Sequence, residues 1–451
     1  EEASGDEGLA MKQGRSVPGG QWLAVLCCLL FCAVPLAAAW AAPGISYGHD
    51  FIRAGKSWPD EAPLPARLDP AAALDPALTT RQRERLQEME TVQGPYAPGL
   101  AEPLAELGRS LSQAGDPGAA LRSFNRALHV MRVNEGLYSE NQLPLIKELL
   151  AVHRSLGDWR ALDARYDYYY RLLHGTGAMQ DARGAAEYFR WQREALRREL
   201  DSSDDQRLVQ LFESNEQLLL AVGNTLPAAE RWHLVDSQLR NLYLIQARAR
   251  PDTFAVRSTA SPSFGFRQEP VQELDIHQQR LAAIQRLAEG RGTELLATFI
   301  AAPDLRDEAL RARAWLALAD WRQWNGAQGD ALEDYRAVAL HLQTTGQQSA
   351  LKAWFGAPVE LPDNGAFIRD PGAGGALVAA RYRINDRGVA QDVETEALDE
   401  ADKGFAMRLY RKLQRTRFRP RMEAGVPVAS DPIERTYRYL DPEAIRRFRS
   451  P

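Results

Sequence analysis

The chain has 451 residues, of which 45% are hydrophobic and 25% charged, so it is long enough for two or three domains with buried cores. Its formal net charge of -5 excludes a strongly basic nucleic-acid binder at the level of the whole chain. All three cysteines lie at positions 27, 28 and 32. The rest of the chain therefore has no disulfide, thiolate nucleophile or cysteine metal site.

The N-terminal region has the pattern of an export signal. Residues 1–10 are an acidic upstream extension, and the basic Lys12 and Arg15 precede an uncharged apolar run over residues 22–42. The run ends near the small-x-small sequence Ala39-Trp40-Ala41. We predict a secretory signal peptide at 11–41 and a mature chain in the periplasm. The alternative is an uncleaved inner-membrane anchor, since about 20 apolar residues span a bilayer.

The remaining chain divides by its hydrophobic period. Residues 42–95 form a Pro/Gly-rich lead-in, predicted to be irregular until it turns helical near Arg81. Helical periodicity dominates residues 96–345, and a linker follows at 346–375. Beyond these lie a segment of alternating polarity at 376–441 and a tail at 442–451.

A repeat organises the helical region. Gly115 and Gly157 mark turns that lie 42 residues apart, and Phe124 and Tyr166 are separated by the same distance. A third copy surrounds Gly326. The helix positions of the three copies are Leu104, Leu107, Gly108, Leu111, Ala120, Phe124 and Ala127, then Ile146, Leu149, Leu150, Tyr166 and Tyr169, then Trp315, Leu318, Ala319, Ala331 and Tyr335.

These positions resemble the tetratricopeptide repeat, in which small residues let two antiparallel helices approach and large residues fill the gap to the next pair. The resemblance implies ligand-facing positions on the first helix of each pair, here Arg109, Gln113, Lys147 and Arg154. Three of the four are cationic, which favours a peptide or an acidic segment. The alternative is that these side chains only solvate the surface. Between 176 and 290 the repeat is weak, with helices predicted at 208–222 and 274–288; a generic helical bundle is the other interpretation.

The C-terminal segment predicts strand, strand, helix and strand. Alternating residues from Val378 to Ile384 indicate a half-buried strand, and Asn385-Asp386-Arg387-Gly388 is a turn. A returning strand follows over 389–397, a helix over 400–415 and a last strand over 433–440.

This segment resembles the C-terminal domain of TonB-type energy transducers. The resemblance is carried by the first strand and its turn, by Arg417-Phe418-Arg419-Pro420, by Gly425-Val426-Pro427-Val428 and by the aromatic last strand. The fold class implied for the chain is mainly α: a tetratricopeptide-like array followed by a small α+β (ββαβ) domain. In that family a strand edge pairs with an extended peptide. In a three-stranded sheet we expect the last strand to be a docking edge, although its charges also suit protection against aggregation. The docking residues would be Arg435, Thr436, Tyr437, Arg438 and Tyr439.

No motif for catalysis, a metal or a cofactor is found in the sequence. The match to G-x-S-x-G at residues 44–48 lacks a preceding strand, and the seven histidines are scattered. We therefore predict a non-enzymatic periplasmic adaptor with protein or peptide partners in the cell envelope, no nucleic acid and no cofactor. Membrane contact follows only if the N-terminal segment is retained. The alternatives are an anchored energy transducer or transport component, and an envelope hydrolase within 200–290.

Overall fold

A computed structural model describes residues 46–62, 76–175, 182–200, 204–223, 225–248, 273–369 and 375–440. The upstream extension, the predicted signal peptide and the C-terminal tail lie outside these residues. The described part of the chain is mainly helical with a small C-terminal strand-rich region.

The helices of the described residues follow one another from the end of the lead-in to the predicted linker. They are α1 Pro76–Gln93, α2 Ala101–Gln113, α3 Pro117–Glu135, α4 Gln142–Leu156, α5 Trp159–Gly175, α6 Ala182–Arg197, α7 Asp204–Val222, α8 Ala228–Ala247, α9 Glu273–Ile300, α10 Glu308–Asn325, α11 Gln328–Thr344, α12 Gln348–Phe355 and, within the C-terminal segment, α13 Lys403–Arg415. The helices predicted at 208–222 and 274–288 are present as α7 and α9. Helix α1 begins at Pro76, earlier than the predicted Arg81.

Local sequence explains the boundaries of the helical hairpins. Asp116 caps α3 by accepting a hydrogen bond from the Ala119 amide at 2.9 Å, and a proline follows it at the first helical position. Gly157 ends α4 in the left-handed conformation, with a φ of 66°, which glycine adopts without steric cost. Gly326 ends α10 in the same way, with a φ of 90°.

The repeat positions form the contacts within the hairpins. A Cβ on Gly108 of α2 would lie 2.5 Å from the Phe124 ring of α3, so only glycine allows this approach. Ala120 and Ala127 of α3 are fully buried. Tyr166 of α5, in the next hairpin, is buried and makes a contact beyond that hairpin: it stacks on Trp191 of α6 with ring centroids 5.0 Å apart. One apolar core runs from α1 to α6.

The strand-rich region is a six-stranded antiparallel sheet flanked by two short ribbons. Its strands, in chain order, are β1 Ser46–Tyr47, β2 Phe51–Ala54, β3 Val359–Glu360, β4 Ile368–Arg369, β5 Leu377–Ile384, β6 Ala390–Ala397, β7 Phe418–Arg419, β8 Arg421–Glu423, β9 Val426–Val428 and β10 Ile433–Tyr439. The main sheet has the order β4-β1-β2-β10-β5-β6, while β3 pairs with β7 and β8 with β9.

The prediction of a three-stranded sheet is therefore wrong. Strands β1 and β2 come from the lead-in and β4 from the predicted linker, which also contains α12 and β3. The physical reason is burial, because Phe51 and Ile52 are each 3% exposed, and the Phe51 ring lies 5.1 Å from that of Tyr439 in β10. A short apolar run gains this burial only by joining the distant sheet.

Helix α13 covers the face of β5, β6 and β10. Leu409 and Leu413 of α13 pack into the apolar cluster of the sheet, which includes Val378, Tyr382 and Tyr437. The predicted turn between β5 and β6 is present: the Asn385 side chain accepts hydrogen bonds from the backbone amides of residues 387 and 389. The order strand, strand, helix, strand expected for 376–441 is thus observed, with the short β7, β8 and β9 inserted before β10.

Candidate functional site

The predicted ligand-facing residues of the first two hairpins are only partly brought together. Arg109 of α2 is partly exposed and lies 3.0 Å from Glu102 and 3.8 Å from Glu148 of α4. Gln113 and Lys147 are exposed. The ion pair between α2 and α4 shows that the first helices of the two hairpins lie side by side, and the surface they share, which we call the α2/α4 surface, carries both signs of charge.

Arg154 does not belong to the α2/α4 surface. It is 8% exposed and donates two hydrogen bonds to Glu194 of α6, at 2.8 and 2.9 Å. Burial alone would raise the pKa of Glu194, but Arg154, together with Arg190 and Arg198, lowers it to about 2. The prediction that Arg154 faces a ligand is corrected, because its guanidinium is used to neutralise a buried carboxylate.

The predicted docking residues on β10 lie inside the sheet. Strand β10 pairs with β5 from Ile433 to Arg438, and Arg438 and Tyr439 pair with β2 on the other side. Tyr437 is buried, and its hydroxyl lies 3.0 Å from that of Tyr382. Arg435 lies 3.9 Å from Glu360.

Of the five docking residues, Thr436 alone is exposed by more than about a third. The expected docking edge is therefore closed at Arg438 and Tyr439, because β2 of the lead-in pairs with β10 there.

Strand β6 ends the sheet on the opposite side. Within the described residues it pairs with β5 alone. Its Asp392, Glu394 and Glu396 are exposed, and Asp392 has a φ of 50° beside a register shift in the β5–β6 pairing. Charges and a bulge are features that keep an edge strand from pairing indiscriminately.

A buried ionic cluster joins the lead-in to the helices. Glu61 is fully buried and accepts hydrogen bonds from Arg193 at 2.9 and 2.8 Å, from Arg197 at 2.9 Å and from Arg240 at 3.5 Å. Burial would raise the pKa of Glu61, but these guanidinium groups lower it to about 2. Arg240 also pairs with Asp236 at 2.5 Å, one turn away on α8.

A second buried cluster joins the sheet to the helices. Arg419 of β7 donates to both oxygens of Asp320 of α10, at 2.9 and 2.5 Å, and to Asp363 at 3.0 Å. Asp320 also accepts from the Tyr335 hydroxyl at 2.8 Å, and Asp363 pairs with Lys56 at 2.6 Å. Burial opposes the charge on Arg419, but Asp320 and Asp363 raise the pKa of its guanidinium. Burial raises the pKa of the Asp320 carboxyl, and Arg419 opposes this rise.

A cavity of about 270 Å³ lies against these two clusters, which we call the junction cavity. It is lined by Lys56, Ser57, Trp58, Pro59 and Asp60 from the lead-in, Trp232, Asp236, Leu239, Arg240 and Tyr243 from α8, Arg313, Leu316, Ala317 and Asp320 from α10, Trp354 from α12, and Asp363, Asn364 and Arg419. The sequence gives no sign of this cavity, because its lining comes from segments that are far apart in the chain and no local period connects them.

The wall of the junction cavity contains unpaired polar groups. The indole N–H groups of Trp58 and Trp232, the Tyr243 hydroxyl and the side-chain amide nitrogen of Asn364 are buried and have no hydrogen-bond partner among the described residues. A buried polar group that stays without a hydrogen bond costs roughly 1–3 kcal/mol of desolvation. Buried polar groups usually have a partner, so these four, all on residues that line one cavity, need an explanation.

Neither a metal site nor a membrane helix is found in the part of the chain that the structure describes. No group of three or more His, Cys, Asp or Glu residues there is placed to hold a metal ion. Among the same residues, no helix combines the length and the apolar character needed to cross a bilayer. No family model matches the chain, and no curated protein matches it significantly.

Proposed function

We propose that the protein is a non-enzymatic adaptor of the cell envelope that binds a protein partner, with a tetratricopeptide-like array and a TonB-like C-terminal sheet. The observation that carries this proposal is the ion pair between Arg109 of α2 and Glu148 of α4, at 3.8 Å. It puts the first helices of successive hairpins on one surface, which is the arrangement that helical repeat proteins use to bind extended segments.

The chemistry of the α2/α4 surface indicates the kind of partner. Arg109 lies between Glu102 and Glu148, and Lys147 is exposed beside them. With Arg154 in the core, the surface is no longer mainly cationic. A partner segment that carries both acidic and basic side chains suits it better than the purely anionic segment that the sequence suggested, because each sign finds an opposite charge.

The C-terminal sheet supports an adaptor by being fixed to the helices. Besides the Arg419–Asp320 pair, the Gln323 side chain of α10 donates to the backbone oxygens of Arg387 at 2.8 Å and Phe418 at 3.0 Å. A strand edge on this sheet is therefore held in a set position relative to the array. Strand β10 is paired on both sides at Arg438, and β6 is one of the two end strands of the sheet, so we propose β6 as the edge that a partner would use.

A charge-removal experiment tests the proposal. The double variant Arg109→Ala/Lys147→Ala should weaken capture of the partner from an envelope extract by about fivefold, since two exposed charges contribute up to about 1 kcal/mol each. A photo-crosslinker at Gln113 should label the same partner. The matched control is Arg336→Ala/Lys352→Ala, which removes equal charge from exposed positions on α11 and α12. Equal capture by both double variants would refute the role of the α2/α4 surface.

The cellular location has its own test. N-terminal sequencing of the exported protein should find a start near Ala42, with the protein in the periplasmic fraction. A mature form that keeps residues 22–41 and fractionates with membranes would support the energy-transducer alternative instead.

A further inference from the structure

We propose that the junction cavity binds a single neutral sugar unit, a function separate from partner binding at the α2/α4 surface. The first reason is charge balance. The lining contains four cations and four carboxylates, and they are paired with one another: Lys56 with Asp363 at 2.6 Å, Arg240 with Asp236 at 2.5 Å, Arg419 with Asp320 at 2.5 Å and Arg313 with Asp60 at 3.7 Å. An ionic ligand would have to break one of these pairs, whereas a neutral ligand leaves all of them intact.

The second reason is the kind of surface that the cavity presents. Four aromatic side chains, Trp58, Trp232, Tyr243 and Trp354, are part of its walls. The C–H faces of a sugar ring pack on such walls, while its hydroxyl groups require donors and acceptors around the rim of the ring.

The unpaired groups supply the missing half of the hydrogen bonding. Two indole N–H groups and an amide nitrogen donate only, and a tyrosine hydroxyl does both. The neighbouring carboxylates accept from sugar hydroxyls. The unpaired atoms have no exposed surface, so the proposal requires these side chains to turn towards the ring when it binds. A purely apolar ligand would leave these donors unpaired.

The volume and the opening of the junction cavity limit the size of the ligand. A volume of 270 Å³ equals the volume that about nine water molecules occupy in the liquid. It lies just below the usual range of small-molecule pockets. It suits one hexose or one N-acetylhexosamine, and an oligomer of two or more units would not fit. Ser57 is exposed, and the side chains of Asp60 and Arg313 are about half exposed, so the cavity opens on their side.

Tryptophan fluorescence and calorimetry of the full-length protein test the proposal, because three tryptophans line the cavity. Titration with glucose and with N-acetylglucosamine should give a saturable change in emission, a calorimetric binding isotherm and a raised melting temperature. Glucuronate and glycylglycine, of similar size but charged, should give none of these. The absence of binding by both neutral sugars, or binding of the charged probes alone, would overturn the proposal.

Three variants locate the site. Ala317→Phe fills the cavity from α10 and should weaken sugar binding at least about tenfold, and the matched control Ala309→Phe, at an exposed position of the same helix, should not change it. Should Ala317→Phe fail to fold, Ser57→Phe narrows the mouth from an exposed loop position and should have the same effect. Sugar binding that is unchanged in a folded Ala317→Phe or Ser57→Phe protein would show that the site is elsewhere and would overturn the assignment.

Discussion

Replacing Glu61 by glutamine should destabilise the protein more than the loss of any single exposed charge. The substitution keeps the shape of the side chain but removes the carboxylate that accepts from Arg193, Arg197 and Arg240. Arg240 would keep its pair with Asp236, while the fully buried Arg193 would lose its carboxylate partner. Breaking a buried ion pair from one side costs about 3–5 kcal/mol. That is a large part of the 5–15 kcal/mol that typically separates folded from unfolded proteins.

The pH dependence gives an independent estimate of the same contribution. The pKa of Glu61 falls from an ordinary 4.5 to about 2 in the folded protein, which corresponds to about 3 kcal/mol. Because the folded-state pKa is the lower one, this stability is fully present above about pH 5. It is lost as the pH falls towards about 2, where the carboxylate protonates even in the folded chain.

Urea unfolding between pH 7 and pH 3 measures both effects. The Glu61→Gln variant should be less stable by about 3–5 kcal/mol at pH 7, and its difference from the wild type should shrink as the pH falls, because a protonated Glu61 resembles glutamine. Glu106→Gln, at an exposed position of α2, is the control and should change stability by less than about 0.5 kcal/mol. A Glu61→Gln protein within about 1 kcal/mol of the wild type at pH 7, or a difference independent of pH, would refute this account.

Three further substitutions test the packing. Gly108→Ala should cost about 1–3 kcal/mol, because its Cβ would lie 2.5 Å from the Phe124 ring; an unchanged urea midpoint would contradict this. Arg154→Ala should cost about 2–4 kcal/mol in the same assay by removing the two bonds to Glu194, and a stable variant would return Arg154 to the candidate ligand contacts. Arg438→Pro should cost at least about 1–3 kcal/mol and lower the melting temperature, since this residue pairs with both β2 and β5; an unaltered melting curve would mean that β10 has a free side there.

The parts of the fold that were predictable are those with a local period. Helices of 13 to 19 residues such as α2, α3 and α4 repeat their apolar positions often enough to be recognised. The Gly108–Phe124 contact was also within reach, since small and large residues recur at fixed offsets. The β5–β6 turn was predictable because it contains Asn385 and Gly388, and asparagine and glycine are residues that turns favour.

Strands β1 and β2 were not predictable in this way. They have two and four residues, too few to show alternation, and they lie in a segment rich in proline and glycine. Their pairing partners, Arg369 and Tyr439, are more than 300 residues away in the chain. The two strands also pair with each other, but the outer side of each pairs with a distant strand, so the tertiary structure decides that such short runs are strands.

The prediction for Arg154 was wrong for a different reason. Arginine on a helix is usually exposed, and nothing within a turn of α4 indicates otherwise. The carboxylate that allows its burial is Glu194, 40 residues later, on a helix whose repeat pattern is weak. The burial of Arg154 depends on a partner that is distant in sequence, so the residues around Arg154 do not reveal it.

The two buried ionic clusters and the partly buried group around Glu360 all join segments that are distant in the chain. Glu61 fastens the lead-in to α6 and α8, Asp320 fastens β7 to α10, and Glu360 of β3 lies 2.7 Å from Arg53 of β2 and 3.9 Å from Arg435 of β10. Apolar packing between helices and a sheet tolerates small shifts, whereas a buried carboxylate that lost its guanidinium would be left uncompensated. These pairs therefore act chiefly by fixing position. They hold the strands of the lead-in at the edge that β10 would otherwise offer, and they keep the walls of the junction cavity at a set distance from one another.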